Sequence, residues 1–318
     1  GELEHYELRE VDLSSEVDSE LRALLLIHPT EELSEAELRR LNAYVMNGGS
    51  LGIFGGTMNV SLEGAAPSAS QVSTGINTLL QGWGIEMGDA LVADARCGRV
   101  PLRTPIGLQI PVAYPPAPII LFDEEQRQHP SLFRLNQAPF FFASPITTTN
   151  RFDELNGQVL GRSGEESSWL LTGSTIGLQP RDPREWQISG ETGPHNVMVA
   201  LQGELPSAFS EAGEGDAAIE APARASREVR VLVVGSGAVL RDQFLPSRER
   251  TQGQMTGGLA FALNSVDWLA ADADLIAIRA KNIEDPAIDV PQDEMAAEPI
   301  AEPQGRLEVH PTPHTTVG

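Results

Sequence analysis

A strand–helix–strand unit over residues 21–57 is the feature that most limits the folds open to this chain. Leu24–Ile27 and Leu51–Phe54 are short apolar runs of the length expected for strands that are buried on both faces. Between them Ser34 and Glu37 have the spacing of a capping box, and two consecutive glycines supply the stop of a helix. Such a crossover favours parallel strands, so we predict an α/β fold with a mostly parallel, flavodoxin-like sheet flanked by helices and carrying β-rich, proline-containing insertions.

Two glycine-containing turns form a candidate pocket, because open parallel sheets place their ligands at the carboxyl ends of strands. They are Gly55, Gly56 and Thr57 after the second strand, and Gly235, Ser236 and Gly237 after a buried run at Val229–Val234. The first turn holds neither Cys nor Ser, so it lacks the nucleophile that such a turn often carries. The second lacks the third glycine of a dinucleotide motif and a Walker lysine, which favours a plain tight turn over a nucleotide site.

The charge balance excludes some partners. The chain has 22 Lys and Arg residues against 45 Asp and Glu residues, a formal net charge of -23. Nucleic acid and anionic membrane surfaces attract clustered basic residues, so we expect neither as a partner. No apolar run is long enough to cross a bilayer, and the chain begins at Gly1. We therefore expect any contact with a membrane to run through anchors that are absent from this chain.

Composition also divides the chain. We predict one α/β domain over residues 1–280, which opens with a strand at Tyr6–Leu13 and closes with one at Leu275–Ile278. Residues 204–228 are rich in Ala, Glu, Gly, Ser and Pro, which predicts a mobile, disordered acidic insertion. Residues 281–318 are acidic and proline-containing, which is typical of a tail or linker.

The candidate catalytic group is the single cysteine. Cys97 lies between Arg96 and Arg99, and nearby cations lower a thiol pKa as a nucleophile requires. A free cysteine is also commonly a small buried hydrophobic residue, and this reading stands beside the first. The histidines are scattered, and prolines separate His310 from His314, so we predict no metal site and no cofactor.

The segment Tyr114-Pro115-Pro116-Ala117-Pro118 favours extended polyproline geometry. That shape has little entropy to lose on docking, and a tyrosine is a common anchor of protein interfaces. Tyr114, Pro115 and Pro116 are therefore candidate partner-contact residues, with a rigid loop as the alternative.

Several stretches resemble the GldG family, the auxiliary component of gliding-motility-type ABC transporters. They are Tyr6–Asp12, Leu33–Gly49, Thr74–Leu80, Leu91–Val100 followed by Tyr114–Pro116, Asn264–Leu269 and Asp274–Arg279. The resemblance implies a fold similar to class I glutamine amidotransferases without the catalytic cysteine, a domain also found in an intraflagellar-transport protein. It further implies membrane helices and an upstream region that this chain does not contain.

The leading hypothesis is thus a non-enzymatic, periplasmic (extracytoplasmic) subunit that contacts an ABC permease and ATPase in gliding motility or export, with homo-oligomerisation as a further expectation. A solute-binding module for a sugar or peptide is the first alternative, with the two glycine turns as its pocket. A hydrolase or amidotransferase-like enzyme that uses Cys97 is the second.

Overall fold

A computed structural model describes residues 7–62, 67–104, 106–186, 188, 190–241, 244 and 257–270. Its helices are α1 (Glu35–Met46), α2 (Ile76–Gln81), α3 (Asn150–Glu154) and α4 (Gly257–Leu269). Its strands are β1 (Ala23–Ile27), β2 (Ser50–Phe54), β3 (Met58–Ser61), β4 (Ser68–Gln71), β5 (Ile85–Met87), β6 (Ala90–Asp94), β7 (Cys97–Arg103), β8 (Gln109–Leu121), β9 (Gln137–Pro139), β10 (Ile146–Thr148), β11 (Gln158–Arg162), β12 (Ser168–Thr172), β13 (Thr175–Gly177), β14 (Asn196–Gly203) and β15 (Val229–Val234).

The opening strand–helix–strand unit is confirmed. β1 pairs with β2 in parallel, and β15 pairs in parallel with the other side of β2. At the start of α1 the Ser34 hydroxyl accepts a hydrogen bond from the Glu37 N–H at 3.3 Å, and the Glu37 carboxylate accepts one from the Ser34 N–H at 2.7 Å. The helix ends where Gly48 takes a φ of +97°, a left-handed conformation that glycine adopts without a steric penalty.

The prediction of a mostly parallel, flavodoxin-like sheet flanked by helices is wrong. The main sheet has the order β1-β2-β15-β14-β10-β5, with β11 also paired to β14, and every pair beyond β15 is antiparallel. The apolar run of β14 is buried like that of a parallel strand, so its sequence does not report its direction. Antiparallel strands need no helical crossover, which is why the described chain is rich in strands and carries few helices.

Two apolar layers cover the parallel strands. Alternate side chains of β15 point to opposite faces, as the period of a strand requires. Val231 and Val233 pack in one cluster with α1 and α2, whereas Leu232 and Val234 pack in the other with Phe261, Trp268 and Leu269 of α4. Apolar side chains therefore cover both faces of β15.

Three smaller antiparallel sheets complete the described fold. They have the orders β13-β4-β3, β12-β6 and β7-β8-β9. Their shared apolar cluster includes Leu91, Tyr114, Phe142, Leu178 and Trp186. This β-rich part lies next to the carboxyl edge of the parallel strands and supplies much of the wall of the candidate site.

Residues 204–228 pack on α1, where their composition predicts a mobile loop. Leu205 and Ala225 are buried, and Asn42 of α1 bonds the Ser207 hydroxyl at 3.1 Å and the Ala208 N–H at 2.9 Å. The Arg39 guanidinium lies 4.4 Å from the centre of the Phe209 ring. Polar groups of the helix thus hold a segment that has little apolar surface of its own.

Both predicted terminal strands need comment. Residues 7–13 form no strand, so that part of the Tyr6–Leu13 prediction is wrong. The predicted strand at Leu275–Ile278 and the predicted tail at 281–318 lie outside the described residues.

Candidate functional site

The three parallel strands end at one edge and bring the two glycine turns together. There the Gly55 N–H donates to the Val234 carbonyl at 3.0 Å, and the His28 N–H donates to the Phe54 carbonyl at 2.6 Å. A Cβ on Gly56 would lie 3.0 Å from the Gly235 carbonyl oxygen. The structure therefore places both predicted turns, together with the end of β1, in a single corner.

That corner is filled by the chain around Ser144. The Ser144 hydroxyl accepts a hydrogen bond from the Thr57 N–H at 3.2 Å, and the Ser144 N–H donates to the Gly235 carbonyl at 2.8 Å. A Cβ on Gly56 would lie 2.3 Å from the Ser144 Oγ, and one on Gly235 would lie 2.1 Å from the Ser144 carbonyl oxygen. Neither position has room for a Cβ, so glycine is required by the close approach of Ser144 and not by a ligand.

The two hydroxyl groups of the corner are engaged in structural bonds. Thr57 donates from its Oγ1 to the Gly88 carbonyl at 2.8 Å, and Ser236 donates from its Oγ to the Phe141 carbonyl at 2.6 Å. Both residues are buried. An activated nucleophile needs a base as its proton acceptor, and these two protons already point at backbone carbonyls.

The space left beside the corner is small. Its volume is about 10 Å³, and its wall includes Met58, Val60, Phe141, Phe142 and Phe244. A cavity of this size holds about one water molecule, whereas sugar or peptide sites have volumes of roughly 300 Å³ or more. The rings of Phe141 and Phe244 lie 5.2 Å apart in its wall. The predicted pocket exists as a place in the fold but is too small for such a solute.

One histidine lies at this corner without the partners of a catalytic base. Burial lowers the pKa of His28, the neighbouring Arg241 lowers it further, and a hydrogen bond that the imidazole donates to the Asn59 side chain opposes both effects. A catalytic imidazole is usually oriented by a carboxylate, but the groups that act on His28 are a guanidinium and an amide. Its φ of +50° reflects the sharp turn from β1 into Pro29.

The only cysteine is not activated either. Burial is the main cause that raises the pKa of Cys97, and Asp94 raises it further, against smaller opposing effects of the Tyr114 backbone and Arg99. The second expected cation, Arg96, directs its guanidinium to the Ile119 carbonyl at 3.0 Å. The structure thus favours the reading of Cys97 as a half-buried thiol without a base.

No group of three His, Cys, Asp or Glu side chains in the described ranges is arranged to hold a metal ion.

The candidate contact residues Tyr114, Pro115 and Pro116 are buried in the middle of β8. The Tyr114 hydroxyl donates to the Leu178 carbonyl at 2.8 Å, and its ring packs edge-to-face on Trp186 with a centroid distance of 5.6 Å. These side chains build the third apolar cluster. A partner would have to contact a neighbouring part of the same hairpin.

The outer part of the same hairpin is largely exposed, and we call it the arm. It consists of Arg99–Arg103 of β7, Gln109–Ala113 of β8, paired in antiparallel register, and residues 104 and 106–108 of the turn between them. Directly opposed residues share a face of such a ribbon. One face carries the pairs Val100 with Val112 and Leu102 with Ile110, and the other carries Arg99 with Ala113, Pro101 with Pro111, and Arg103 with Gln109.

A second concavity lies elsewhere, against α1. It has a volume of about 280 Å³, and its wall includes Glu16, Arg40, Tyr44, Asn47 and Glu220. Sequence reasoning missed it because its walls come from segments about two hundred residues apart. Its polar groups serve the fold, since Arg40 donates to the Leu13 carbonyl at 2.8 Å and the Tyr44 hydroxyl donates to the Leu21 carbonyl at 2.9 Å.

Sequence reasoning also missed the arm as a surface, although the signal is present. Among the described residues Ile106, Leu108 and Ile110 are large apolar side chains that remain exposed. No acidic residue occurs between Asp94 and Asp123. In a chain with a net charge of -23, so long an acid-free run with exposed aliphatic residues marks a distinct surface.

Among the helices that the structure describes, none has the length and apolar character needed to cross a bilayer.

Comparison with known proteins assigns the chain to a family. A model of the family described as "ABC-type uncharacterized transport system" matches residues 2–265, and the chain belongs to this family. Among solved structures, one titled "mmIFT52 N-terminal domain" is similar over 80% of this chain and 81% of its own, with 13% identity and a TM-score of 0.43. No curated protein matches the chain.

Proposed function

We propose that this member of the ABC-type uncharacterized transport system family is a non-catalytic, extracytoplasmic auxiliary subunit of a gliding-motility or export transporter. It acts through protein contact with the permease and ATPase assembly. Family membership over residues 2–265 supports the transport role and is the observation that carries the proposal. The transporter's ATPase supplies the energy, and the auxiliary subunit supplies a binding surface.

The filled corner supports the absence of catalysis. In enzymes built on open α/β sheets the strand ends present a reactive side chain to a cleft. Here Ser144 occupies that position, with its side chain against Gly56 and its backbone carbonyl against Gly235, and leaves no space for a Cβ on either glycine. The cavity of about 10 Å³ also argues against a sugar or peptide ligand at the same place.

A pull-down from native membranes tests the transport role. The full chain, expressed with an affinity tag in its own cell, is captured from gently solubilised membranes, and co-purified proteins are identified by mass spectrometry. We expect an ABC permease and an ABC ATPase to be enriched over a tagged, unrelated periplasmic protein. Recovery without any ABC transporter subunit would contradict the proposal.

Thiol labelling tests the enzymatic alternative. Since burial raises the pKa of Cys97, its thiolate fraction at neutral pH is small, and we expect slow reaction with iodoacetamide until the chain is denatured. Rapid labelling of the folded chain, faster than that of free cysteine at the same pH, would restore Cys97 as a candidate nucleophile.

A further inference from the structure

We propose that the tip of the arm docks on the interface of a phospholipid bilayer that contains anionic lipid. The inference goes beyond the proposed function and rests on it only for the location of the subunit beside a membrane. It is carried by the exposed aliphatic side chains of the tip and by the arginines on the opposite face of the ribbon.

The tip is an apolar projection. Ile106 is 80% exposed, Leu108 is 59% exposed and Ile110 is 44% exposed. Leu102 lies directly opposite Ile110 on the same face, so the apolar surface continues from the turn into the ribbon. Closer to the body this face is covered, since Val100 packs against the third apolar cluster. The unpartnered apolar surface is therefore confined to the far end of the arm.

Hydrogen bonds join the described residues of the tip. The Thr104 N–H donates to the Leu108 carbonyl at 2.8 Å, and the Gly107 N–H donates to the Thr104 carbonyl at 2.9 Å. The Leu108 N–H donates back to the Thr104 Oγ1 at 3.1 Å. Gly107 takes a φ of +83°, which a side chain would disfavour. A preformed turn loses little conformational entropy when its aliphatic side chains enter another phase.

Charge complementarity points to an anionic surface. The exposed Arg99 and Arg103 share the face of the ribbon opposite the aliphatic residues, and no carboxylate lies between Asp94 and Asp123. An amphipathic ribbon of this kind can place its apolar face at the acyl boundary while its guanidinium groups remain among the phosphates. This proposal departs from the expectation that the chain avoids anionic membranes, which rests on the net charge of the whole chain. The carboxylates that make up that charge lie outside residues 95–122, and salt screens charges more than about 10 Å from the surface.

A bilayer suits this tip better than a specific protein partner. Stable protein interfaces bury roughly 800 Å² on each side and are anchored by Trp, Tyr or Arg in pockets, whereas this tip offers a few aliphatic side chains. Strand addition to the ribbon is also disfavoured, because Pro101 and Pro111 remove N–H donors from its edges. A lipid interface requires neither shape complementarity nor edge hydrogen bonds.

Vesicle co-sedimentation of the purified full chain tests the inference. The probe is large unilamellar vesicles of phosphatidylcholine mixed with phosphatidylglycerol, compared with phosphatidylcholine alone. We expect binding to the mixed vesicles, which the double variant Ile106→Asp/Leu108→Asp lowers by about tenfold or more. Arg99→Gln/Arg103→Gln should weaken binding to the mixed vesicles and abolish their advantage over the neutral ones.

The matched control is Ile188→Asp, because Ile188 is 63% exposed but lies far from the arm in sequence. It should bind vesicles like the unaltered chain. Absence of vesicle binding by the unaltered chain would overturn the inference, as would equal losses for Ile188→Asp and the tip variant. Sedimentation velocity without lipid provides the other decisive result: a dimer abolished by the tip variant, without vesicle binding, would assign the tip to a second copy of the chain.

Vesicle binding needs no transporter subunit, so this inference and the proposed transport role can fail separately.

Discussion

Substitution of Gly235 by alanine tests whether the corner at the strand ends is filled. The added Cβ would lie 2.1 Å from the Ser144 carbonyl oxygen, so Ser144 must retreat by roughly 1 Å. That movement strains the hydrogen bond from the Ser144 N–H to the Gly235 carbonyl and the one from Thr57 to the Ser144 hydroxyl. Overpacking costs about 1–3 kcal/mol and each weakened hydrogen bond about 1 kcal/mol. We expect a loss of about 3–5 kcal/mol in the free energy of unfolding.

The assay is urea denaturation followed by tryptophan fluorescence, with a thermal melt in parallel. A loss of this size lowers the melting temperature by roughly 4–8 °C in a chain of this length. Gly98→Ala is the matched control, because its Cβ would meet only Ala117 at an ordinary distance of 3.6 Å. We expect the control to change stability by less than about 0.5 kcal/mol. Equal midpoints for the two variants would refute the filled corner and reopen it as a ligand site.

Three further predictions concern the body of the fold. Ser34→Ala removes the side-chain cap shared with Glu37 and should cost about 1 kcal/mol in urea denaturation. Tyr114→Phe leaves the buried Leu178 carbonyl without its donor and should cost about 1–3 kcal/mol in the same assay, whereas an exposed tyrosine would cost nothing. Burial lowers the pKa of His129 to about 4, below its unfolded value near 6.5. The stability that the neutral imidazole contributes is therefore fully present above about pH 6.5 and is lost as the pH falls to about 4, a change of about 3 kcal/mol in the free energy of unfolding. We expect His129→Gln to remove this change from unfolding free energies measured over a pH series. Identical pH profiles for the variant and the unaltered chain would contradict the prediction.

The elements that sequence predicts correctly are those fixed by local chemistry. The Ser34 cap and the left-handed Gly48 act within one turn of α1, and both appear where their spacing predicts them. The apolar runs of β2 and β15 are buried on both faces, as their composition predicts, whereas β1 lies at the edge of the sheet and is only half-buried. The two glycine turns follow from these strands, and their meeting at one edge is a consequence of parallel pairing.

The direction of β14 could not be predicted, because its apolar run would suit a parallel or an antiparallel strand equally. That single ambiguity decides the architecture, since β14 connects the parallel strands to the antiparallel half of the sheet. The sequence also could not predict that Ser144 fills the corner at the strand ends. It depends on Ser144, which is remote in sequence from both glycine turns and has no local pattern that marks it.

The burial of Tyr114 and the packing of residues 204–228 could not be predicted from the sequence for a related reason. The partners of Tyr114 are Leu178 and Trp186, more than sixty residues away, whereas the neighbouring prolines suggest an exposed extended segment. Residues 204–228 are held through backbone and hydroxyl groups by Asn42 and Arg39, which composition does not register. Local patterns report what a segment can bury and not which distant polar groups bind it.

Hydrogen bonds at the base of the arm connect its two strands to the body of the fold. Asp94 is fully buried just before β7, and its carboxylate accepts hydrogen bonds from the Arg96 N–H at 2.8 Å, the Gly164 N–H at 2.7 Å and the Ser167 hydroxyl at 2.7 Å. A carboxylate with three donors compensates its burial and ties β7 to the turn before β12. Since Arg96 also reaches the Ile119 carbonyl, both strands of the ribbon are anchored to the body. Hydrogen bonds from the body therefore fix the direction in which the tip is presented.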